Sequence, residues 1–119
     1  MNLLALAEAV ALARRSGVDP AKMLEVVGAG AAGSWMISNL GPRALRSDFA
    51  PGFMVELMQK DLRLALGAAD ASHTPLPGTA LVHQLFQVLE ATGRGREGTQ
   101  ALVDAVAALT GESWGRGGA

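Results

Sequence analysis

The sequence predicts an all-α fold, a compact bundle of about six helices. Three observations carry that prediction. Alanine and leucine dominate the chain, tyrosine is absent and β-branched residues are sparse, a composition that favours helix. Apolar residues recur at three- and four-residue spacing through most of its length. No stretch alternates apolar and polar residues for long enough to make a strand, and no internal repeat is visible. With 119 residues the chain is large enough to bury one core, and because only 4% of it is aromatic, Leu, Val and Ala must build that core.

The elements follow in order. Asn2 to Ser16 reads as a helix in which Leu3, Leu4, Leu6, Val10 and Leu12, with alanines between, cover most of the circumference. Gly17 stops it. Such a helix at the start of a chain is expected to be covered by a partner chain or by an upstream half. Asp19-Pro20 opens a second helix as N-cap and first position, with Met23, Leu24, Val26 and Val27 as its buried stripe and Gly28 at its end. A third helix begins at Ser34 and includes Trp35, Met36, Ile37 and Leu40, followed from Pro42 by a short turn with Ala44 and Leu45. Residues 46–53 form an irregular loop. Val55 to Ala71 is helical, with Leu57, Met58, Leu62, Leu64 and Leu66 at helical spacing. Pro75-Leu76-Pro77-Gly78 breaks it, and the next helix, from Gly78 to Ala91, carries Leu81, Val82, Leu85, Phe86 and Leu89. Thr99 caps a last helix with Leu102, Val103, Val106 and Leu109. A helical domain of residues 1–110 and a frayed tail of residues 111–119 are expected.

Composition excludes several functions. A formal charge of −1 supplies no basic field for nucleic acid, and no basic helix-turn-helix face is present. Without cysteine there is no disulfide, no thiolate nucleophile and no cysteine-ligated metal. His73 and His83 lack a carboxylate cluster at ligand spacing, so no metal site is assigned, and the serines lack a nucleophile elbow or base. No signal peptide is expected, since no basic segment precedes the apolar start and Glu8 interrupts it, and no membrane span, since the longest uncharged stretch, Val26 to Pro42, is glycine-rich and too short. Cytoplasm is the expected compartment. A literal G-x-G-x-x-G at Gly28, Gly30 and Gly33 invites a dinucleotide reading, with Asp48 as the ribose-binding acid. That motif requires a strand before it and a parallel sheet around it. Here a capped helix leads into the glycines, so they are read as a helix–helix connection.

The most informative segment runs from Asp48-Phe49-Ala50-Pro51-Gly52-Phe53 to Lys60-Asp61-Leu62. A Pro-Gly turn sets Phe53 ahead of a helix whose charged pair sits among Met58, Leu62 and Leu64, at the rim of a cleft. Adjacent residues on a helix project about 100° apart, so Lys60 and Asp61 are not expected to pair with each other. Phe49 is assigned to packing, and Trp35 to a core anchor whose indole N–H finds a carbonyl.

These blocks, with Gly17-Val18-Asp19-Pro20, Gly33-Ser34-Trp35, Pro42-Arg43 and Leu76-Pro77 in order, resemble the C-terminal helical domain of the β-hydroxyacid dehydrogenases. That family includes 3-hydroxyisobutyrate dehydrogenase, tartronate semialdehyde reductase and 6-phosphogluconate dehydrogenase. The resemblance implies that Lys60 reaches a bound NAD or NADP, that Asp61 helps organise the active site, and that Phe53 lines the nicotinamide and substrate pocket. It implies a small 3-hydroxy acid, or its semialdehyde, as substrate of the full enzyme. The family's Rossmann half and its catalytic lysine and asparagine precede the matching region, and Asn2 is not that asparagine. The chain alone is therefore expected to be inactive, to bind cofactor weakly or not at all, and to form a homodimer or await a Rossmann domain. The alternative is a non-enzymatic helical interaction module.

Overall fold

The structure, a computed structural model, describes residues 1–112. Residues 113–119, most of the tail expected from Gly111 onward, lie outside the described residues. Among the described residues there are six α-helices: α1 (Asn2–Arg15), α2 (Pro20–Gly28), α3 (Gly41–Leu45), α4 (Val55–Ala71), α5 (Pro77–Ala91) and α6 (Leu102–Leu109). A π-helical turn, Met36–Leu40, leads into α3, and a 3₁₀ turn, Thr99–Ala101, leads into α6. One isolated antiparallel bridge, Met54 to Gly98, is the only strand-like pairing among the described residues. The all-α prediction holds.

α1 is the centre of the bundle. Leu6, Ala7 and Val10 are fully buried, and Leu3, Leu4, Ala11 and Ala13 nearly so. α6 packs most extensively against it, and the π turn and α2 cover further sides. Much of the cover for α1 comes from within the chain, from the segment most distant in sequence, while Leu12 stays exposed. α6 qualifies because five of its eight residues are buried, with Leu102, Val103 and Ala107 inaccessible to solvent.

Local chemistry sets the boundaries. Gly17 takes φ +72°, and Val18 N–H then donates to Ala13 O at 2.8 Å, closing α1 in a left-handed cap. Asp19 accepts from Ala21 N–H at 3.0 Å, with Pro20 at the first helical position. The glycine run is a connection, as expected. A Cβ on Gly33 would lie 2.5 Å from Gly28 O, so a close backbone approach fixes the last glycine of the motif without any phosphate.

Several expectations fail in informative ways. The helix expected from Ser34 begins instead as a π turn, with Ile37 N–H donating to Ser34 Oγ at 3.1 Å. Trp35 is not a core anchor: it is 66% exposed. Thr99 makes no side-chain cap and is buried in the 3₁₀ turn. Val26, Leu57, Leu64, Leu81 and Leu109, placed in buried stripes by their spacing, all face solvent. A two-layer contact uses a narrower stripe of each helix than the apolar residues occupy.

The α4–α5 pair is joined by an amide. Gln59 is fully buried; its Nε2 donates to His83 O and Glu90 Oε2, both at 3.2 Å. With both N–H groups facing acceptors, Oε1 must face His83 Nδ1, 3.0 Å away, and Nδ1 is therefore the donor. Arg63, one turn along α4, lies 3.9 Å from Glu90. No helix among the described residues is long and apolar enough to cross a membrane.

Two substitutions measure these contacts. Leu6→Ala is expected to lower stability by about 2–5 kcal/mol in urea melts, through lost transfer energy and the residual cavity. Gln59→Leu is expected to cost about 1–3 kcal/mol, because it leaves the His83 Nδ1–H and the Glu90 carboxylate short of a partner.

Candidate functional site

The loop of residues 46–54 carries Phe53 to the start of α4, and polar side chains from two directions hold it. Arg43, on α3, donates through Nε to Asp48 Oδ2 at 2.8 Å and through a terminal nitrogen to Asp48 Oδ1 at 3.1 Å and Ala50 O at 2.6 Å. Asp48 Oδ1 also accepts from Ala50 N–H at 3.2 Å. From the opposite side Gln100, almost wholly buried, donates to Asp48 O at 2.8 Å and Ala50 O at 3.1 Å. Gly98 N–H donates to Phe49 O and Thr99 N–H to Phe53 O. The loop is irregular because its backbone groups pair with side chains and a distant segment rather than with each other.

A second ionic cluster backs it. Arg94 pairs with Glu97 at 2.6 Å and with Asp104 at 2.8 Å, and its guanidinium lies 5.3 Å from the centre of the Phe49 ring. Burial works against the Arg94 charge, yet the bonds to Glu97 and Asp104 outweigh it and raise its pKa above the ordinary arginine value. Phe49 packs against the core, as expected of it.

On this support the three anticipated site residues all face solvent. Phe53 is 41% exposed and precedes α4 by two positions. The side chains of Lys60 and Asp61 are 61% and 53% exposed. Contrary to expectation the two do pair: Nζ and Oδ1 lie 3.6 Å apart, because the long lysine stem swings across the angle between neighbouring positions. Leu57 and Leu64 stand one turn before and after them, at i, i+4 and i+7, and are also exposed. The result is an outward stripe of α4 with an ion pair at its middle, apolar residues on either side and Phe53 at its head. Met58 and Leu62 belong instead to the inner side, lining a groove with Met1, Met36 and Phe86, so they do not form a common cleft wall with the pair. No three side chains of His, Asp or Glu gather at metal-binding distance among the described residues.

Gln59, Glu90 and Gln100 were not singled out in the sequence, Arg43 entered only within the Pro42-Arg43 block, and His83 only as a rejected metal ligand. The available signals were faint: a glutamine in the inward register of α4, and another before the apolar run of α6.

Two outcomes follow. Phe53→Ala is expected to cost less than about 1.5 kcal/mol in denaturant melts, well below the loss for a buried phenylalanine. The hydrogen bonds from Arg43, then that from Ala50 N–H, hold the Asp48 carboxyl below its ordinary pKa against the opposing effect of burial. A lowered folded pKa means the clamp contributes above the ordinary carboxylate range and is lost as pH falls through the folded value. The melting-temperature gap between the native chain and Asp48→Asn is therefore expected to narrow on acidification below about pH 4.

Comparisons with known proteins place this architecture. Residues 1–106 match the family model described as NAD-binding of NADP-dependent 3-hydroxyisobutyrate dehydrogenase. An uncharacterised oxidoreductase of Synechocystis sp. is 42% identical over 105 residues, 88% of this chain and 36% of that protein. The 2-hydroxy-3-oxopropionate reductase of Escherichia coli is 37% identical over 106 residues, 89% of this chain and 36% of the relative. The crystal structure of 3-hydroxyisobutyrate dehydrogenase from Salmonella typhimurium superposes with a TM-score of 0.80 at 34% identity, covering 85% of this chain and 35% of that one. The chain thus spans about a third of the length of these relatives. On its sequence and its helical fold alike, the chain belongs to the 3-hydroxyisobutyrate dehydrogenase-like family of NAD-binding oxidoreductases.

Proposed function

We propose that this chain acts as the C-terminal helical part of an NAD(P)-dependent oxidoreductase working on a 3-hydroxy acid or its semialdehyde. In this reading it supplies one wall of the site and part of the subunit assembly. The observation that carries it is the outward stripe of α4. Phe53, Lys60 and Asp61 stand exposed together on an element whose entry loop is clamped by Arg43 and Gln100.

The residues fit one side of a dinucleotide site, not the whole of it. Lys60 offers a solvent-facing ammonium with three donors, suited to a phosphate or an amide oxygen. Asp61, paired with it, holds that ammonium over α4. Phe53 presents a ring that excludes water from one side. No sheet edge cradles a pyrophosphate among the described residues, and the glycine run is closed on its own backbone. The nicotinamide, when bound, supplies the hydride-accepting chemistry. Asp61 spends its charge on Lys60, so removal of the hydroxyl proton falls to a group outside these residues. A small 3-hydroxy acid as substrate and a cytoplasmic location belong to the same reading.

Calorimetry of the 119-residue chain with NAD and NADP is expected to show no micromolar binding, and no nicotinamide reduction is expected with 3-hydroxy acids. Turnover by the chain alone that disappears with Lys60→Ala would overturn the division of labour. As a positive arm, residues 1–106 can replace the matching segment of the Escherichia coli reductase. There Lys60→Ala is expected to raise the KM for dinucleotide by about tenfold or more, the scale of one charge-assisted hydrogen bond.

A second reading, a non-enzymatic helical interaction module, draws on the large apolar residues left exposed, among them Leu12, Leu64 and Leu81. In the enzyme reading Leu64 belongs instead to the site-bearing stripe of α4, and exposed Leu12 supports subunit assembly. The two readings part on the chimaera, which must turn over only if the enzyme reading holds.

A further inference from the structure

We propose that Gln59, held by His83 and Glu90, is a positioning residue for the candidate site: it sets the rotation of α4 about its own axis, and through it the place where Lys60 meets a dinucleotide. This rests on the role proposed above for Lys60 and names what holds that side chain in register.

α4 has little else to fix its rotation. Of its 17 residues only Val55, Gln59 and Ala69 are buried, one at the start, one in the last turn and the glutamine between them. Met58 and Leu62 pack against the core but stay partly exposed, and both are unbranched at Cβ. The first turn is tethered by its backbone, with Val55 N–H donating to Glu97 O at 2.9 Å and Glu56 N–H to Gly95 O at 2.8 Å. Such tethers hold an end and leave the helix beyond it free to turn.

The glutamine removes that freedom. Its amide donates to His83 O and Glu90 Oε2, and its oxygen faces His83 Nδ1. One turn later on the same face Arg63 approaches the same Glu90 oxygen at 3.9 Å, so a single carboxylate of α5 holds α4 at two successive turns. At about 100° per residue, Leu57, Asp61 and Leu64 lie within about 40° of the direction opposite Gln59, and Lys60 about 100° from it. The buried amide and the exposed stripe are thus two sides of one lever. A turn of about 20° would swing a side-chain end at a radius of about 5–6 Å through roughly 2 Å. Hydrogen-bond donor–acceptor distances span only about 0.5 Å.

Two measurements test this. The chain contains no cysteine, so Leu64→Cys on the stripe and Leu109→Cys at the exposed end of α6 accept a pair of nitroxide labels on the full 119-residue chain. Their distance distribution, read by pulsed electron paramagnetic resonance, is expected to broaden or shift on Gln59→Leu. Gln59→Met, which keeps the length without the amide, serves should Gln59→Leu not fold. Gln59→Glu, which sets carboxylate against carboxylate, is expected to do the same, and adding Glu90→Gln to it to restore the native distribution. In the chimaera with the Escherichia coli reductase, Gln59→Leu is expected to raise the KM for dinucleotide about three- to tenfold. On top of Lys60→Ala it is expected to add nothing, since the two act through one group. Val103→Ala, a loss of buried volume on α6, is expected to leave that KM unchanged.

An unmoved label distance would overturn the proposal. So would a KM effect of Gln59→Leu that persists in full beside Lys60→Ala, or one that Val103→Ala reproduces, and in these cases the role of Lys60 stands. A Lys60→Ala chimaera with native KM would overturn the dinucleotide role and this proposal with it, even where the labels move.

Discussion

The structure depends on the burial of α1. A helix apolar on most sides cannot stand in water, and only other helices can cover it, because each must satisfy its own backbone while presenting an apolar stripe. α6, the π turn and α2 do this for the chain. The covering segment that matters most comes from the far end of the sequence, so the two ends of the domain hold each other. The large-to-small economy of the chain suits this design. With so few aromatics, close approach of alanine-rich helix faces does the filling.

The site-bearing part is held differently. α4 and α5 form an outer pair joined by the buried Gln59 amide as well as by apolar contact. A buried amide that uses its donors and acceptor in set directions fixes the rotation of a helix more sharply than leucine contacts do, because it fails if the helix turns. Lys60 and Asp61 follow immediately in the chain, so the amide that locks α4 also decides where the ion pair faces. The loop before α4 is fixed by the same logic, with Arg43 and Gln100 satisfying carbonyls that no secondary structure pairs. Rigid polar support beneath an exposed stripe is what a surface needs if it is to meet something else in a defined geometry.

Those two regions face solvent with different chemistry. The α4 stripe mixes a ring, an ion pair and two leucines. The α1–α2 face offers an apolar groove with one rim leucine and opposite charges on either side of it.

Helix existence was legible in the residues because it rests on local physics. The Asp19-Pro20 cap, the Gly17 stop and the span from Val55 to Ala71 each follow from side-chain spacing and backbone preference within a few residues, and each was found where expected. The family, too, was legible, through ordered blocks. What the sequence could not decide was which part of each apolar face is covered. Leu12 and Leu6 lie on the same helix and have the same transfer energy, yet one is 68% exposed and the other fully buried. That difference is set by where α6 lies, a contact between residues nearly a hundred positions apart. For the same reason Trp35 turned out to face solvent and Gln59 the interior, and the reach of the Lys60 stem to Asp61 was invisible to an argument from helical angles alone. Periodicity names a stripe; only the packing of distant elements determines which width of it meets protein and which meets water.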